Sequence, residues 1–165
     1  MESPIKLKTV QFLLTTPDYD WEHIDFWVNE GPAVIKNEGK IFITFSASAT
    51  GACYSMGIME ADEVADLLDR NSWTKSRQPV LQTNEAKGIY GPGHNSFTVD
   101  ENGDPLMIYH ARSYVKAVGD PSVVTASDTR PLEQIKADPL YDPNRHARMM
   151  KVRFDRDGKP VFKYY

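Results

Sequence analysis

The sequence has very little cysteine: Cys53 is the single one among 165 residues. One cysteine excludes an intrachain disulfide. The residues that follow it, 54–58, have the pattern of a strand, so we expect Cys53 to be a buried structural thiol.

The chain also lacks a long hydrophobic run and a basic cluster. No stretch of 18 apolar residues is present, and residues 1–8 are polar and charged, unlike a signal peptide. We therefore expect a soluble, cytoplasmic protein that does not bind membranes. The net charge of −4, with no basic cluster, argues against a nucleic-acid binder.

What the sequence does contain is many short strand patterns separated by turns, with 11 prolines and 10 glycines. Its length, with 41% hydrophobic and 25% charged residues, fits one globular domain. Strands are predicted at 8–15, 28–36, 40–48, 52–61, 79–83, 96–99, 106–109, 146–154 and 160–164. A long polar segment, 113–144, separates the last two hairpins, with a helical turn predicted at 132–137. A loop of this length is usually functional.

A strand–turn–strand pattern occurs twice, with a spacing of 64 residues. When 30–47 is laid over 94–112, Glu30 falls on His94 and Gly39 falls on Gly103, with one residue inserted at Pro105. Repeated β-hairpins with a period near 60 residues indicate four-stranded propeller blades. Glu30 and His94 would then occupy equivalent places in neighbouring blades and point toward one axis.

The predicted fold class is all-β, a partial β-propeller of about two and a half four-stranded antiparallel blades. The whole chain, 1–165, is one domain. Residues 1–27 are the end of a preceding blade, 28–90 form one blade and 91–165 form the last blade. This number of blades does not close a ring, so the open strand edges are expected to bind another polypeptide.

Glu30 is the residue whose setting points most directly to chemistry. It lies between Asn29 and Gly31, and Gly31 would allow another group to approach closely. Burial beside Phe26, Trp27 and Val28 would raise the pKa of its carboxyl and make it a proton donor near neutral pH. A solvent-facing glutamate at a strand start is the alternative. Trp27 is also a candidate for stacking on a sugar ring.

Several longer motifs resemble glycoside hydrolase family 43. They are VNEGPAV at 28–34, ITFSAS at 43–48, DRNSWTK at 69–75, GPGHNSF at 91–97, YHAR at 109–112 and DPNRH at 142–146. They occur in the order that the family has, over nearly the whole chain. The similarity is greatest to the α-L-arabinofuranosidase and exo-arabinanase-like members, with β-xylosidases as close relatives.

The resemblance implies a five-bladed β-propeller that hydrolyses arabinose- or xylose-containing saccharides with inversion, using one carboxyl group as acid and another as base. It implies that Glu30 is the general acid and that His94 lies on the axis, near a hydrated calcium ion. Calcium prefers oxygen ligands, so waters and carbonyls would supply most of its shell. The alternative for His94 is a structural histidine bonded to backbone.

The resemblance also gives candidate substrate contacts. Asn29, beside the acid, and His94 are two of them, and Arg112 is a candidate for binding sugar hydroxyls. A salt bridge from Arg112 to Asp120 or Asp128 is its alternative. Arg145 and His146 are pocket residues or, equally well, anchors of a turn.

The family's general base and its pKa-tuning aspartate match no residue of this sequence, which resembles only the C-terminal half of the family's propeller. The base would come from a separate N-terminal half or from a second copy in a homodimer. Three functions therefore stay open. They are part of a pentose-releasing hydrolase, a non-catalytic carbohydrate-binding or inactive truncated remnant, and a generic propeller interaction module.

Overall fold

Short antiparallel strands account for nearly all regular structure in the computed structural model, which describes residues 3, 5–113, 131, 133 and 145–164. Within these residues the strands are β1 (Asn29–Asn37), β2 (Lys40–Ala47), β3 (Ser55–Asp62), β4 (Thr74–Lys75), β5 (Tyr90–Val99), β6 (Pro105–Arg112), β7 (His146–Lys151), β8 (Arg153–Phe154) and β9 (Pro160–Val161). Three short 3₁₀ turns join them at Asp20–Glu22, Arg70–Ser72 and Glu85–Lys87. The predicted all-β class is confirmed.

The first sheet has the strand order β1-β2-β3-β4, with every pair antiparallel. The β1–β2 hairpin turns at Gly39, whose φ of 76° lies in the left-handed region that glycine adopts without strain. Ile35 and Phe42 pair across the hairpin and are buried, whereas the neighbouring Val34 is exposed. This alternation places one face of the sheet in the core.

The second sheet has the order β5-β6-β7, and β8 pairs with β9 in a separate two-stranded sheet. Strand β5 packs against β1, β2 and β3, so the two larger sheets lie side by side. Their shared core contains Phe42, Met56, Leu81, Met107, Tyr109, Val152 and Phe162. This packing brings the start of β1 close to the middle of β5.

Residues 8–15 were predicted to be a strand, but they form none in the structure. The alternating apolar pattern is present, yet Val10, Phe12 and Leu13 are more than half exposed. A strand requires a neighbouring backbone for its N–H and C=O groups, and no described strand pairs with this segment. The strand predicted at 8–15 is therefore wrong, because an alternating pattern does not by itself supply a neighbouring strand.

The fourth strand of the first sheet also differs from its predicted place. It is β4, which pairs Lys75 with Met59, rather than 79–83. Leu81 forms only an isolated bridge to Met56. Pro79 has no N–H to donate to a sheet, which explains why the predicted strand does not propagate.

The predicted strand 146–154 divides at Val152, whose N–H donates to the Pro105 carbonyl at 2.9 Å and whose side chain is buried. In the described residues the last large sheet therefore has three strands rather than four. The polar segment 114–130, most of the turn predicted at 132–137 and the DPN residues 142–144 lie outside the described residues. No helix in the described part of the chain has the length and apolar character needed to cross a membrane.

Cys53 precedes β3 rather than lying in it, and it is half-buried rather than fully buried. Burial raises the pKa of its thiol. Its sulfur lies 3.4 Å from the Ala49 carbonyl oxygen. The thiol therefore belongs to the turn that leads into β3.

Strand β1 contains one bulge and strand β5 contains two. The register shifts between Glu30 and Ala33 in β1, and between Tyr90 and Gly93 and again between Gly93 and Ser96 in β5. In each bulge the residue after the first position has a left-handed φ: 57° at Gly31, 55° at Gly91 and 49° at His94. The β5 bulge nearer the hairpin turn aligns Gly31 with His94, one residue away from the alignment of Glu30 with His94 that the sequence predicted. An extra residue in a bulge shifts the register without leaving a mark in the hydrophobic pattern.

Candidate active site

Glu30 at the start of β1, Tyr54 just before β3 and His94 in the middle of β5 lie close together. The Tyr54 hydroxyl donates to Glu30 Oε1 at 2.6 Å, and His94 Nδ1 lies 3.5 Å from the Tyr54 oxygen and 3.9 Å from Glu30 Oε1. The side chains of Glu30 and His94 are 38% and 57% exposed. The cluster thus combines a solvent-reachable carboxyl and imidazole with a buried phenol.

Gly31 makes room for the His94 ring. A Cβ built at Gly31 would lie 3.1 Å from His94 Cγ and Nδ1, and the left-handed φ of 57° would strain any larger residue there. The expectation that Gly31 permits a close approach is therefore met, and the approaching group is the imidazole of His94.

Tyr54 was not among the residues that the sequence indicated. Its side chain is fully buried, and its ring stacks on His110 with centroids 5.5 Å apart and planes 10° apart. Burial raises the pKa of its phenol well above the ordinary value, and the hydrogen bond to Glu30 adds to this effect. Tyr54 therefore stays protonated and acts as a hydrogen-bond donor to Glu30.

His110 lies behind Tyr54, 6.3 Å from His94 between ring centroids. Burial, followed by electrostatic repulsion from Arg145, His94 and Arg112, lowers its pKa to about 4. His110 is therefore neutral near pH 7, so its ring packs against Tyr54 without adding a charge to the site.

Asn29 is tied into a buried ionic network rather than left free beside Glu30. Its Nδ2 donates to Glu22 Oε1 at 3.3 Å, and its Oδ1 accepts from Thr15 Oγ1 at 3.0 Å. Glu22 is fully buried and binds Lys75 Nζ at 2.8 Å. Asn29 thus anchors the start of β1, which positions the neighbouring Glu30.

The other residues that were predicted to contact the substrate differ in how deeply they are buried. Trp27 is 75% exposed and stacks on His23, with ring centroids 4.5 Å apart. Arg112 is only 4% exposed, and its Nη1 lies 3.4 Å from the Gly51 carbonyl oxygen. Arg145 is exposed, and its charge acts on Tyr54, His110 and Arg112.

His146 is exposed at the start of β7, where it pairs with Ala111 of β6. The structure therefore brings Glu30, His94, Arg112 and Arg145 to one region, whereas Trp27 stacks on the preceding turn. The roles of all these residues in sugar binding stay predictions. Asp120 and Asp128, the alternative partners of Arg112, lie outside the described residues.

The surroundings of Glu30 differ from the apolar enclosure that the sequence predicted. Phe26 and Trp27 are 51% and 75% exposed and leave the carboxyl partly open. On another side, Glu30 borders a pocket of about 220 Å³ with mostly apolar walls, which include Phe12, Leu13, Ile43 and Phe45. The carboxyl therefore lies where an apolar surface meets a polar cluster.

The described residues do not form a protein-built metal site, since they contain no group of three or more His, Cys, Asp or Glu side chains suited to one ion. Among the described residues, the carboxylate recorded near His94 is that of Glu30, and the other ionisable oxygen beside it is the protonated Tyr54 phenol. Calcium takes six to eight oxygen ligands. This donor set does not fit calcium without many further oxygens, so no reaction step is assigned to a metal.

The sequence matches the model of glycosyl hydrolases family 43 over residues 2–160. The chain belongs to this family. It is 45% identical over 163 residues to the extracellular exo-alpha-(1->5)-L-arabinofuranosidase of Streptomyces avermitilis, and 40% identical over 163 residues to alpha-L-arabinofuranosidase 43 of Humicola insolens. Each match covers 98% of this chain and 30% of the relative. The chain therefore spans about a third of the length of these family members.

A solved structure agrees with this assignment. The crystal structure of alpha-L-arabinofuranosidase from Lactobacillus brevis superposes with a TM-score of 0.83 and 46% identity, covering 99% of this chain and 45% of that chain. A thermostable family-43 glycoside hydrolase superposes with a TM-score of 0.69 and 31% identity. The family 43 chain is thus part of a five-bladed β-propeller, as the motifs predicted.

Proposed function

We propose that this family 43 chain carries the acid-bearing part of an inverting glycoside hydrolase that releases arabinofuranosyl residues, with β-linked xylose as the alternative sugar. The observation that supports this most directly is the geometry of Glu30. Its carboxyl is partly exposed, and one of its oxygens is held by the buried Tyr54 hydroxyl.

In this proposal Glu30 gives a proton to the glycosidic oxygen as the bond to the sugar breaks. The opposite face of the sugar is attacked by a water that a second carboxylate deprotonates. In inverting enzymes the two carboxyl groups stand about 6.5–9.5 Å apart so that this water fits between them. Asp18, in the turn beside Glu22, is a poor base, because Thr16 and Lys75 bind its carboxylate and lower its pKa.

The base would come from further polypeptide, either a separate N-terminal half or a second copy of the chain. The exposed apolar residues Val10, Phe12 and Leu13, together with the apolar pocket beside Glu30, support such a partner surface. The mass of the purified chain in solution tests the homodimer. A monomeric mass at micromolar concentration would exclude it.

Two further properties stay proposals. An ion such as calcium near His94 would have to take most of its oxygen ligands from water and carbonyls. A cytoplasmic location is also only a proposal, and one of the relatives above is named as extracellular.

The hydrolysis of an aryl α-L-arabinofuranoside by the purified chain tests the acid role, with Glu30→Gln as the test variant and Glu63→Gln as the control. Glu63 is half-exposed on the first sheet and pairs with Lys36. Loss of the general acid is expected to lower turnover about 10²- to 10⁴-fold, while the control stays unchanged.

Equal turnover in the wild type and in Glu30→Gln would refute Glu30 as the acid. Binding of arabino-oligosaccharides without any turnover would favour the non-catalytic carbohydrate-binding function instead. The same assay with an aryl β-D-xyloside separates the two sugars.

A further inference from the structure

Two buried hydroxyls, those of Ser46 and Tyr54, lie between the backbone of β5 and Glu30. The His94 backbone N–H donates to Ser46 Oγ at 2.7 Å, and the Tyr54 hydroxyl donates to Glu30 Oε1 at 2.6 Å. A hydrogen bond from the Ser46 hydroxyl to the Tyr54 oxygen would join them into one relay, and Ser46 lowers the pKa of the phenol as such a bond would. Ser46 and Tyr54 are both fully buried. Three strands contribute to this relay, since Ser46 belongs to β2, His94 to β5 and Glu30 to β1.

The direction of this relay follows from its first member. A backbone N–H can only donate, so Ser46 Oγ accepts at that end. The Ser46 hydrogen then remains available for the Tyr54 oxygen, and the phenol hydrogen is directed to Glu30. This arrangement gives every hydroxyl hydrogen an acceptor, which matters in a fully buried position because an unmade hydrogen bond is costly there.

Tyr54 is also held firmly in place. Its ring stacks on His110, and Gly93 lies so close that an added Cβ would come within 2.3 Å of Tyr54 Cε1 and 2.8 Å of Ser46 Oγ. The phenol therefore has little room to turn away from Glu30. Within the described residues, both polar contacts of the Glu30 carboxyl fall on Oε1.

We propose that Tyr54, supported by Ser46, is a positioning residue that keeps Glu30 Oε1 as an acceptor and so places the transferable proton on Oε2. This inference rests on the proposed acid role of Glu30. When the Oε2–H proton moves to the glycosidic oxygen, the electrons of the breaking O–H bond stay on the Glu30 carboxylate. The hydrogen bond from Tyr54 then becomes charge-assisted and stronger, so it favours the transition state more than the ground state.

The first test compares Tyr54→Phe and Ser46→Ala with the wild type on aryl α-L-arabinofuranosides of different leaving-group acidity. Tyr54→Phe keeps the buried ring and removes only the hydroxyl. We expect kcat to fall about 10- to 100-fold, the factor that corresponds to one hydrogen bond to a charged group, with KM nearly unchanged. The loss is expected to be largest for weakly acidic leaving groups, which depend most on protonation, and smaller in Ser46→Ala.

Tyr164→Phe is the matched control, because the Tyr164 hydroxyl is another hydrogen-bonded phenol, partly buried, which donates to the Gln82 carbonyl at 3.0 Å, away from Glu30. It should retain wild-type kcat. An unchanged kcat in Tyr54→Phe, or the same loss for every leaving group, would overturn the proposal.

The second test does not need turnover. The hydroxyl proton of a buried, hydrogen-bonded tyrosine exchanges slowly with water, so it can be observed by NMR in the purified chain. We expect a resonance that is absent in Tyr54→Phe and shifted in both Glu30→Gln and Ser46→Ala, but unchanged in Tyr164→Phe. If it does not respond to Glu30→Gln, the relay is refuted. If it responds while the wild type shows no turnover, the relay stands and the hydrolase function of this chain alone is refuted.

Discussion

Removal of the charge of Glu22 should destabilise the protein far more than removal of an exposed charge. The Glu22 carboxylate is fully buried and accepts from the backbone N–H groups of Asp18 and Tyr19 at 2.7 and 2.9 Å. It also accepts from Lys75 Nζ at 2.8 and 2.9 Å and from Asn29 Nδ2 at 3.3 Å. In Glu22→Gln the amide NH₂ replaces one acceptor with a donor, and that donor must face another donor.

The expected magnitude follows from the burial of this ion pair. Removal of one partner from a buried ion pair typically costs about 3–5 kcal/mol of the free energy of unfolding. Lys75 keeps Asp18 Oδ2 as a second partner at 3.1 Å, so we expect a loss near the lower end, about 3 kcal/mol. With a urea m-value of about 2 kcal/mol/M, the unfolding midpoint should fall by roughly 1.5 M. Trp21 lies next to Glu22, so tryptophan fluorescence can follow the transition.

The exposed Lys36–Glu63 pair provides the control, since its side chains are 57% and 46% exposed. Glu63→Gln should cost at most about 1 kcal/mol. The double variant Glu22→Gln/Lys75→Met should lose less stability than the sum of the two single variants, because they share one interaction. A Glu22→Gln loss no larger than that of Glu63→Gln would refute the assignment of a strong buried pair.

Two other predictions concern the residues that surround Tyr54. In the folded protein the pKa of His110 is about 4, whereas an unfolded histidine has a pKa near 6.5. The free energy of unfolding should therefore be highest above pH 6.5 and should fall as the pH drops from 6.5 toward 4. Urea titrations should show a flatter pH profile for His110→Phe, and an unchanged profile would contradict this. Gly93→Ala places a Cβ 2.3 Å from Tyr54 and should cost at least about 2 kcal/mol. Gly103→Ala, with φ 85° and no atom within 4 Å, should cost about 1 kcal/mol from backbone strain alone. Similar melting temperatures for these two variants would argue against a tight contact at Gly93.

Local sequence signals predicted the first hairpin well. The predicted strands 28–36 and 40–48 correspond to β1 and β2 within one residue at each end, because the polar turn at Gly39 fixes where both strands stop. The predicted strand at 8–15 had an equally regular pattern, and it failed because strand formation depends on a partner that the pattern does not describe.

The residues that hold Glu30 in place could not be predicted from local sequence patterns. Ser46 and Tyr54 occupy ordinary positions near the end of β2 and just before β3. Their placement beside Glu30 depends on the register of β1–β2 and on the packing of β5 across the sheet. Glu22 likewise reads as part of a charged turn, and its burial follows from Lys75, which is 53 residues away in sequence. Sequence motifs identified the residue that faces the substrate in the proposal, whereas the long-range fold determines how that residue is held.

The bulges at Gly31 and His94 give the chain a broken internal symmetry. Gly31 and His94 occupy matching left-handed positions in successive units, and they lie directly against each other, with only 3.1 Å between the His94 ring and the place of a Gly31 side chain. Two units that face one another in this way cannot both carry a side chain at that position. The His94 ring therefore lies directly on the backbone of Gly31, and the imidazole of one unit depends on the glycine of the other.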